Sequence, residues 1–157
     1  MLKTIRLNLT KVISEVLETM FFVFLEQLPV ETLPQRGGYV GSKVVVRGPE
    51  SGFELEMLAQ ESLLTKVAGD FLGLEEGSPS LEQRLDVLKE ITNMVAGNLV
   101  NHCDPHADFD LGIPMLTGTA LTTAEIEDCV DTFAYGDEDG VLLVGVRVIP
   151  GKAGAFR

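Results

Sequence analysis

The segment from residue 81 to 101 constrains the fold most, because its apolar residues recur every three or four positions. At about 100° per residue this spacing gathers them on one side of a single long helix. The stripe consists of Leu81, Leu85, Leu88, Ile91, Val95 and Leu99. The pattern predicts an amphipathic helix that must bury this stripe against other elements of the chain.

The opposite side of this helix carries two acids, an amide and a glycine, which we call the polar ridge. Its members are Asp86, Glu90, Asn93 and Gly97. The same rotation places them within an arc of roughly 60°. A solvated helix face is the simpler interpretation of any one of them. However, Asn and Gly both weaken a helix, and no basic residue stands four positions after either acid. The combination favours a surface that another molecule approaches, with Gly97 leaving the backbone bare.

The remaining patterns follow in the order helix, hairpin, helix, long helix and strands. Helices are predicted over residues 9–27 and 61–72, with Ser78 capping the long helix and Pro79 in its first turn. Extended segments are predicted at 39–47, 53–57, 109–116, 132–136 and 141–149. Pro114 inside one of them indicates an edge or a bend. Residues 117–131 are ambiguous, and the tail from about residue 151 is expected to be loose. The order predicts an α+β fold in a single domain over residues 1–157.

The charge and the cysteine content restrict the class of protein. The formal net charge of −12 disfavours nucleic acid and anionic membrane surfaces as partners. The longest apolar run, residues 20–25, is too short to span a bilayer, and no secretion signal is recognisable at the start. Without a secretion signal the two cysteines are not expected to form a disulfide. We therefore expect a soluble, cytoplasmic protein.

An amide on an exposed helix face has a limited chemical repertoire. It is neither a base nor a nucleophile, but it can accept a hydrogen bond from water and donate one to another oxygen. Such a group can orient a water molecule for in-line attack on a phosphoryl group. A neighbouring carboxylate such as Glu90 can pair with a lysine of the partner and so fix how the two molecules dock.

The spacing Asp86-x3-Glu90-x2-Asn93-x20-Pro114 resembles the signature of the CheC/CheX/FliY phosphatases, which act on phosphorylated receiver domains such as CheY. The chain is most similar to the CheX type, which is short and carries one intact motif. A second register, Ser14-x3-Glu18-x2-Phe21, would have Phe21 in place of the amide. The resemblance implies a pseudo-symmetric α+β domain with two long helices on a mainly antiparallel sheet, and a homodimer.

The resemblance also implies a role for each matched residue. Asn93 would orient the attacking water and Glu90 would pair with the active-site lysine of the receiver. Asp86 matches a position with a less defined role, and Pro114 would shape the nearby loop and take no part in the chemistry. We assign both, together with Gly97 of the ridge, to contacts with the partner. The Mg²⁺ ion would belong to the phosphorylated CheY-like receiver, so the chain would need no metal or cofactor of its own.

Other interpretations stay open at this level. A domain of this fold could bind a receiver or a motor component without catalysing anything. His102, Cys103 and His106 could form a metal site, although Pro105 interrupts a continuous helical face between the two histidines. Phe21 would occupy an exposed register if the two halves are alike, which suggests a subunit or partner contact.

Overall fold

The computed structural model describes residues 1–30, 33, 38–103, 105–106 and 108–152. Within these residues three α-helices pack on a seven-stranded sheet in which every strand pair is antiparallel. The helices are α1 (Leu2–Met20), α2 (Glu61–Leu72) and α3 (Leu81–Cys103). The strands are β1 (Glu26–Leu28), β2 (Tyr39–Arg47), β3 (Ser51–Gln60), β4 (Asp110–Leu111), β5 (Met115–Leu121), β6 (Asp131–Asp137) and β7 (Gly140–Pro150). The α+β prediction, with two long helices on an antiparallel sheet, is confirmed.

The sheet is built on the two predicted hairpins, β2–β3 and β6–β7, which are joined by pairing between β3 and β7. The strand order is β1-β6-β7-β3-β2, and β4 and β5 both pair with the free side of β2. Pro114 lies between β4 and β5, so the predicted edge or bend is confirmed. Residues 117–131, which the sequence left ambiguous, contain the end of β5 and a short 3-10 helix at Thr123–Ile126.

The core lies between one face of the sheet and the helices. Helix α3 contacts α1 on one side and β2 on another. The buried residues of α1 are Ile5, Leu9, Val12, Ile13, Val16 and Leu17. Those of α3 are Val87, Leu88, Ile91, Thr92, Val95, Ala96 and Leu99. Both long helices are therefore held by continuous apolar stripes, as the spacing predicts.

The first helix begins and ends earlier than the sequence pattern predicts, since α1 runs from Leu2 to Met20. The backbone N–H groups of Phe21 and Val23 both donate to the carbonyl oxygen of Leu17, at 3.1 and 3.0 Å. Phe22 adopts a left-handed backbone conformation with φ of 58°, which ends the helical path. The next residues form β1 against β6. An apolar run with helical spacing cannot reveal such a reversal.

The expected exposure of Phe21 is wrong. Its side chain is fully buried, and its ring lies 4.7 Å from the ring of Phe71 in α2, measured between centroids. Helix α1 ends at Met20, so Phe21 is not part of the helix. The proposed match between Phe21 and Asn93 required both residues to lie on a helix in the same register. Phe21 is thus a core residue of its own chain and not a subunit or partner contact.

The start of α3 also differs from the prediction, because Ser80 and not Ser78 caps it. The N–H of Gln83 donates to Ser80 Oγ at 3.1 Å, and the N–H of Ser80 donates to Gln83 Oε1 at 2.8 Å. This reciprocal pair is a capping box. Pro79 therefore precedes the helix, and Leu81, at its first position, is 47% exposed and does not belong to the core stripe.

A charged cluster lies on the face of the sheet opposite to the helices. Glu56 of β3 is almost fully buried, and its Oε1 accepts from Arg147 Nη1 of β7 at 2.8 Å. The same guanidinium donates to both carboxylate oxygens of Asp128, at 2.7 and 3.1 Å, and to the carbonyl oxygen of Glu125 at 2.9 Å. These bonds tie the 3-10 helix and the segment after it to the sheet.

Hydrogen bonds and ion pairs fix the chain as far as residue 152, although a loose tail is predicted from about residue 151. The N–H of Lys152 donates to the carbonyl oxygen of Gly48 at 2.8 Å, and its ammonium lies within 3.3 Å of Asp108 and Asp110. The prediction is therefore wrong for residues 151 and 152. Its remainder, residues 153–157, lies outside the described residues.

Candidate functional site

Buried contacts of α3 fix the direction in which the polar ridge points. Leu88, Val95 and Leu99 are completely buried on the inner side of the helix. Thr92, which the pattern places close to the core side, is also buried, and its hydroxyl donates to the carbonyl oxygen of Leu88 at 2.8 Å. The buried hydroxyl is thus satisfied within the helix. With these residues inside, α3 cannot rotate about its axis, and the ridge faces outward.

The structure brings the four ridge residues onto one surface. Asp86 and Glu90 are exposed, whereas Asn93 and Gly97 are half-buried. Within the described part of the chain, neither the Glu90 carboxylate nor the Asn93 amide takes part in a hydrogen bond or an ion pair. Their hydrogen-bonding groups are therefore available to another molecule.

Asp86 differs from Glu90 in having a partner within the chain. Its Oδ1 lies 3.5 Å from the ammonium of Lys89, three residues further along the helix. The spacing of four residues, at which no base follows either acid, does not reveal this pair because Lys89 lies three residues after Asp86. Both groups are well exposed, so the pair contributes at most about 0.5 kcal/mol. The pairing leaves Glu90 as the uncompensated carboxylate of the ridge.

The end of the ridge lies beside β4 and not in open solvent. A Cβ atom added to Gly97 would find Leu111 Cδ2 at 3.9 Å as its nearest neighbour, an ordinary van der Waals distance. Gly97 therefore leaves less bare backbone than the sequence suggests. Pro114 is half-buried in the link to β5, which itself contacts α3. Pro114 therefore directly precedes the strand that packs beside the helix of the ridge.

A groove of about 370 Å³ runs along the other flank of the ridge, and we call it the helix groove. It is lined by Met20, Phe71, Leu72, Gln83, Asp86, Val87, Glu90 and Met94. The sequence analysis missed it because its walls come from three separate helices. Exposed apolar side chains on these helices indicate a groove only when the packing of the helices against one another is known.

The possible metal site after α3 receives no support from the described residues, among which no group of three or more His, Cys, Asp or Glu side chains could hold an ion. Asp104 and Ala107 of this segment lie outside them. Burial raises the pKa of the Cys103 thiol, which makes the thiolate that metals prefer less accessible. No helix in the described ranges combines the length and the apolar character needed to cross a membrane.

Comparisons with known proteins agree with this architecture. The family described as chemotaxis phosphatase CheX matches residues 40–133, which is more than half of the chain. A chemotactic CheC-like protein from Shewanella oneidensis has a similar structure, with a TM-score of 0.74 at 21% identity over 95% of this chain and 100% of that one. CheX from Vibrio vulnificus gives 0.73 at 18% identity, over 90% and 96% of the two chains.

A third structure is that of a complex of CheX with CheY, BeF₃ and Mg²⁺ from Borrelia burgdorferi. It has a TM-score of 0.65 at 15% identity and covers 89% of this chain and 94% of that one. A search among curated protein sequences finds no match. At such low identities the structures establish the fold, and the family match covers most of the sheet and both α2 and α3. The chain belongs to the CheX family of chemotaxis phosphatases.

Proposed function

We propose that the chain hydrolyses the aspartyl phosphate of a phosphorylated CheY-like receiver domain. The observation that carries the proposal is the pair Glu90 and Asn93, which project from the outer face of a rigid helix without partners in the described chain. A side chain that must enter another protein's active site needs both of these properties. The family match and the existence of a CheX–CheY complex from Borrelia burgdorferi support the choice of partner.

In this mechanism Asn93 contributes position and not proton transfer. Its Oδ1 accepts a hydrogen bond from the attacking water, and its Nδ2 donates to an oxygen at the phosphoryl group. Water attacks phosphorus in line with the bond to the aspartyl oxygen, which breaks as the carboxylate leaves. Mg²⁺ held by the receiver stabilises the phosphoryl charge, so no metal on this chain is required.

Glu90 contributes an ion pair with the receiver's active-site lysine in the same proposal. A charge-assisted bond of this kind fixes the angle and register of docking, and its carboxylate has no competing base in the described chain. Asp86, Gly97 and Pro114 are assigned to contacts with the receiver surface around this pair. Because receiver domains work in the cytoplasm, the proposal also places this chain there.

The test follows loss of phosphate from a receiver that the chain binds, after phosphorylation with acetyl phosphate in Mg²⁺. Asn93→Ala is expected to lower the catalysed rate at least about 100-fold, as loss of one positioning donor does in other enzymes. Asn98→Ala is the matched control, because Asn98 is also a half-buried amide of α3 but lies off the ridge. The control should keep the wild-type rate.

The main alternative, a module that binds receivers or motor components without catalysis, is separated by the same experiment. If wild-type chain binds the receiver and leaves its phosphate lifetime unchanged, the catalytic proposal fails and the binding module remains. If Asn93→Ala and Asn98→Ala lose activity equally, the water-positioning role is wrong.

The homodimer remains a proposal, but the surface proposed for its interface is no longer the segment around Phe21. Phe21 is buried, so this residue gives no support for a dimer contact. The exposed apolar residues Ile113 and Met115, 85% and 61% accessible, instead lie at the β4–β5 edge of the sheet. An open edge with apolar side chains favours pairing with another chain. A monomeric mass in solution at micromolar concentration would count against the dimer.

A further inference from the structure

We propose that the helix groove binds an apolar side chain of the receiver that lies next to a basic group, and that this contact selects the receiver. The inference rests on the proposed function, because it takes the molecule that meets Asn93 to be a receiver domain. It concerns the apolar walls of the groove, which the roles of Glu90 and Asn93 in hydrolysis do not require, although Asp86 and Glu90 also form its rim.

The walls of the helix groove are apolar side chains that the chain itself does not cover. Met20, Phe71 and Leu72 are 45%, 39% and 40% exposed. They come from the ends of α1 and α2 and converge on the first half of α3. Scattered exposed apolar residues are normal, but a concave group of them indicates a binding surface.

The groove is continuous with the ridge. Glu90 and Met94 line it, and Asn93 lies between them in the sequence. From Asp86 to Met94 the lining spans nine residues of α3, which is about 12 Å along the helix axis. A receiver whose acidic site meets Asn93 therefore needs to extend only about this distance along α3 to cover the groove.

The charges around the groove define what can occupy it. Its polar rim consists of Asp86, Glu90 and Gln83, and none of its lining residues is basic. An acidic segment would be repelled, whereas the receiver lysine that the proposed function pairs with Glu90 would lie at this rim. A second copy of this chain, with a formal net charge of −12, is electrostatically unfavourable here. The occupant is therefore apolar with a basic neighbour.

The volume and the lining suit such an occupant. About 370 Å³ is enough for one or two apolar side chains. Met20 and Met94 stand on opposite helices, and the flexible, polarisable methionine side chain adapts its packing to different partners. A central apolar anchor in a pocket beside charged contacts is the usual arrangement of an interface hot spot.

The experiment separates docking from chemistry by steady-state kinetics with the phosphorylated receiver. Leu72→Gln is expected to raise KM about tenfold, which corresponds to about 1.4 kcal/mol of lost binding, and to leave kcat unchanged. Met20→Gln, as a second variant, should act in the same direction. Leu7→Gln is the matched control, because Leu7 is a 72% exposed residue of the same helix, about 20 Å from Met20.

The outcomes distinguish this inference from the proposed function. If both groove variants keep KM within twofold of wild type while the wild type is active, the groove assignment is overturned. If the variants change only the solution mass, the groove belongs to a second copy of the chain. If the wild type has no phosphatase activity, the Kd of each variant for the beryllofluoride-activated receiver is measured instead of KM. A tenfold weakening in Leu72→Gln then supports the groove although catalysis has failed, and an unchanged Kd overturns it.

Discussion

Replacing Arg147 by Met should destabilise the protein far more than removing an exposed ion pair. The Glu56 side chain that Arg147 neutralises is only 3% exposed, and Arg147 itself is 20% exposed. The other carboxylate oxygen of Glu56 is buried with no hydrogen-bond partner in the described chain, so no second group can compensate. Leaving a buried charge unpaired costs about 3–5 kcal/mol, a large part of the usual 5–15 kcal/mol of folding stability.

Urea denaturation followed by circular dichroism measures this loss. With an m-value of about 2 kcal/mol/M, a 4 kcal/mol loss lowers the midpoint by about 2 M. The matched control is Arg6→Met, which removes a pair with Asp131 of 2.6 Å in which the arginine side chain is 52% exposed. Exposed pairs contribute about 0–1 kcal/mol, so the control midpoint should move by less than about 0.5 M.

A second variant tests the cause. Glu56→Met combined with Arg147→Met removes both charges, and a buried pair replaced by apolar residues often regains most of the stability. The double variant should therefore be more stable than Arg147→Met alone. If Arg147→Met costs no more than Arg6→Met, or if the double variant is less stable than the single one, the argument from a buried unpaired carboxylate is refuted.

Two further predictions concern α3 and the cysteines. Gly97→Ala fits beside Leu111, so it should stabilise α3 by about 0.5–1 kcal/mol and weaken receiver binding. The control Gly69→Ala also fits, within α2, so it should stabilise the protein equally and leave receiver binding unchanged. Equal receiver binding by the two variants would contradict a contact at Gly97. Burial raises the pKa of the Cys129 thiol to about 11. Its thiolate is therefore scarce near neutrality, and iodoacetamide alkylation of folded protein, followed by mass spectrometry, should keep accelerating above pH 9. A plateau by pH 9 would contradict this.

The sequence predicts those helices and strands in which a single buried face sets the spacing of the apolar residues. The stripe of α3 and the β2–β3 and β6–β7 hairpins are read correctly, because side-chain spacing and turn residues are local properties. The end of α1 is predicted wrongly, because the apolar residues after Met20 keep a helical spacing although the backbone of Phe22 turns the chain out of the helix. There the burial of Phe21 against Phe71 decides the path, and that contact spans fifty residues of sequence.

The same distinction applies to the candidate site. Asp86, Glu90, Asn93 and Gly97 share a face because they belong to one helix, so arithmetic on the sequence suffices to group them. The helix groove depends on where three helices end relative to one another, which no local pattern encodes. Lys89 shows a smaller limit, because the rule for pairs four residues apart overlooks a partner three residues away.

Helix α3 divides its two duties between opposite sides, with Leu88, Val95 and Leu99 inside and Glu90 and Asn93 outside. Selection for folding and selection for activity therefore act on different positions of the same element. Under the proposed function, a single amino-acid substitution at Asn93 ends turnover and leaves the fold intact, and substitutions along the groove change which receiver binds. Under the same proposal, a lineage can change its partner, or lose its catalytic activity and keep only binding, without altering the residues that hold the fold.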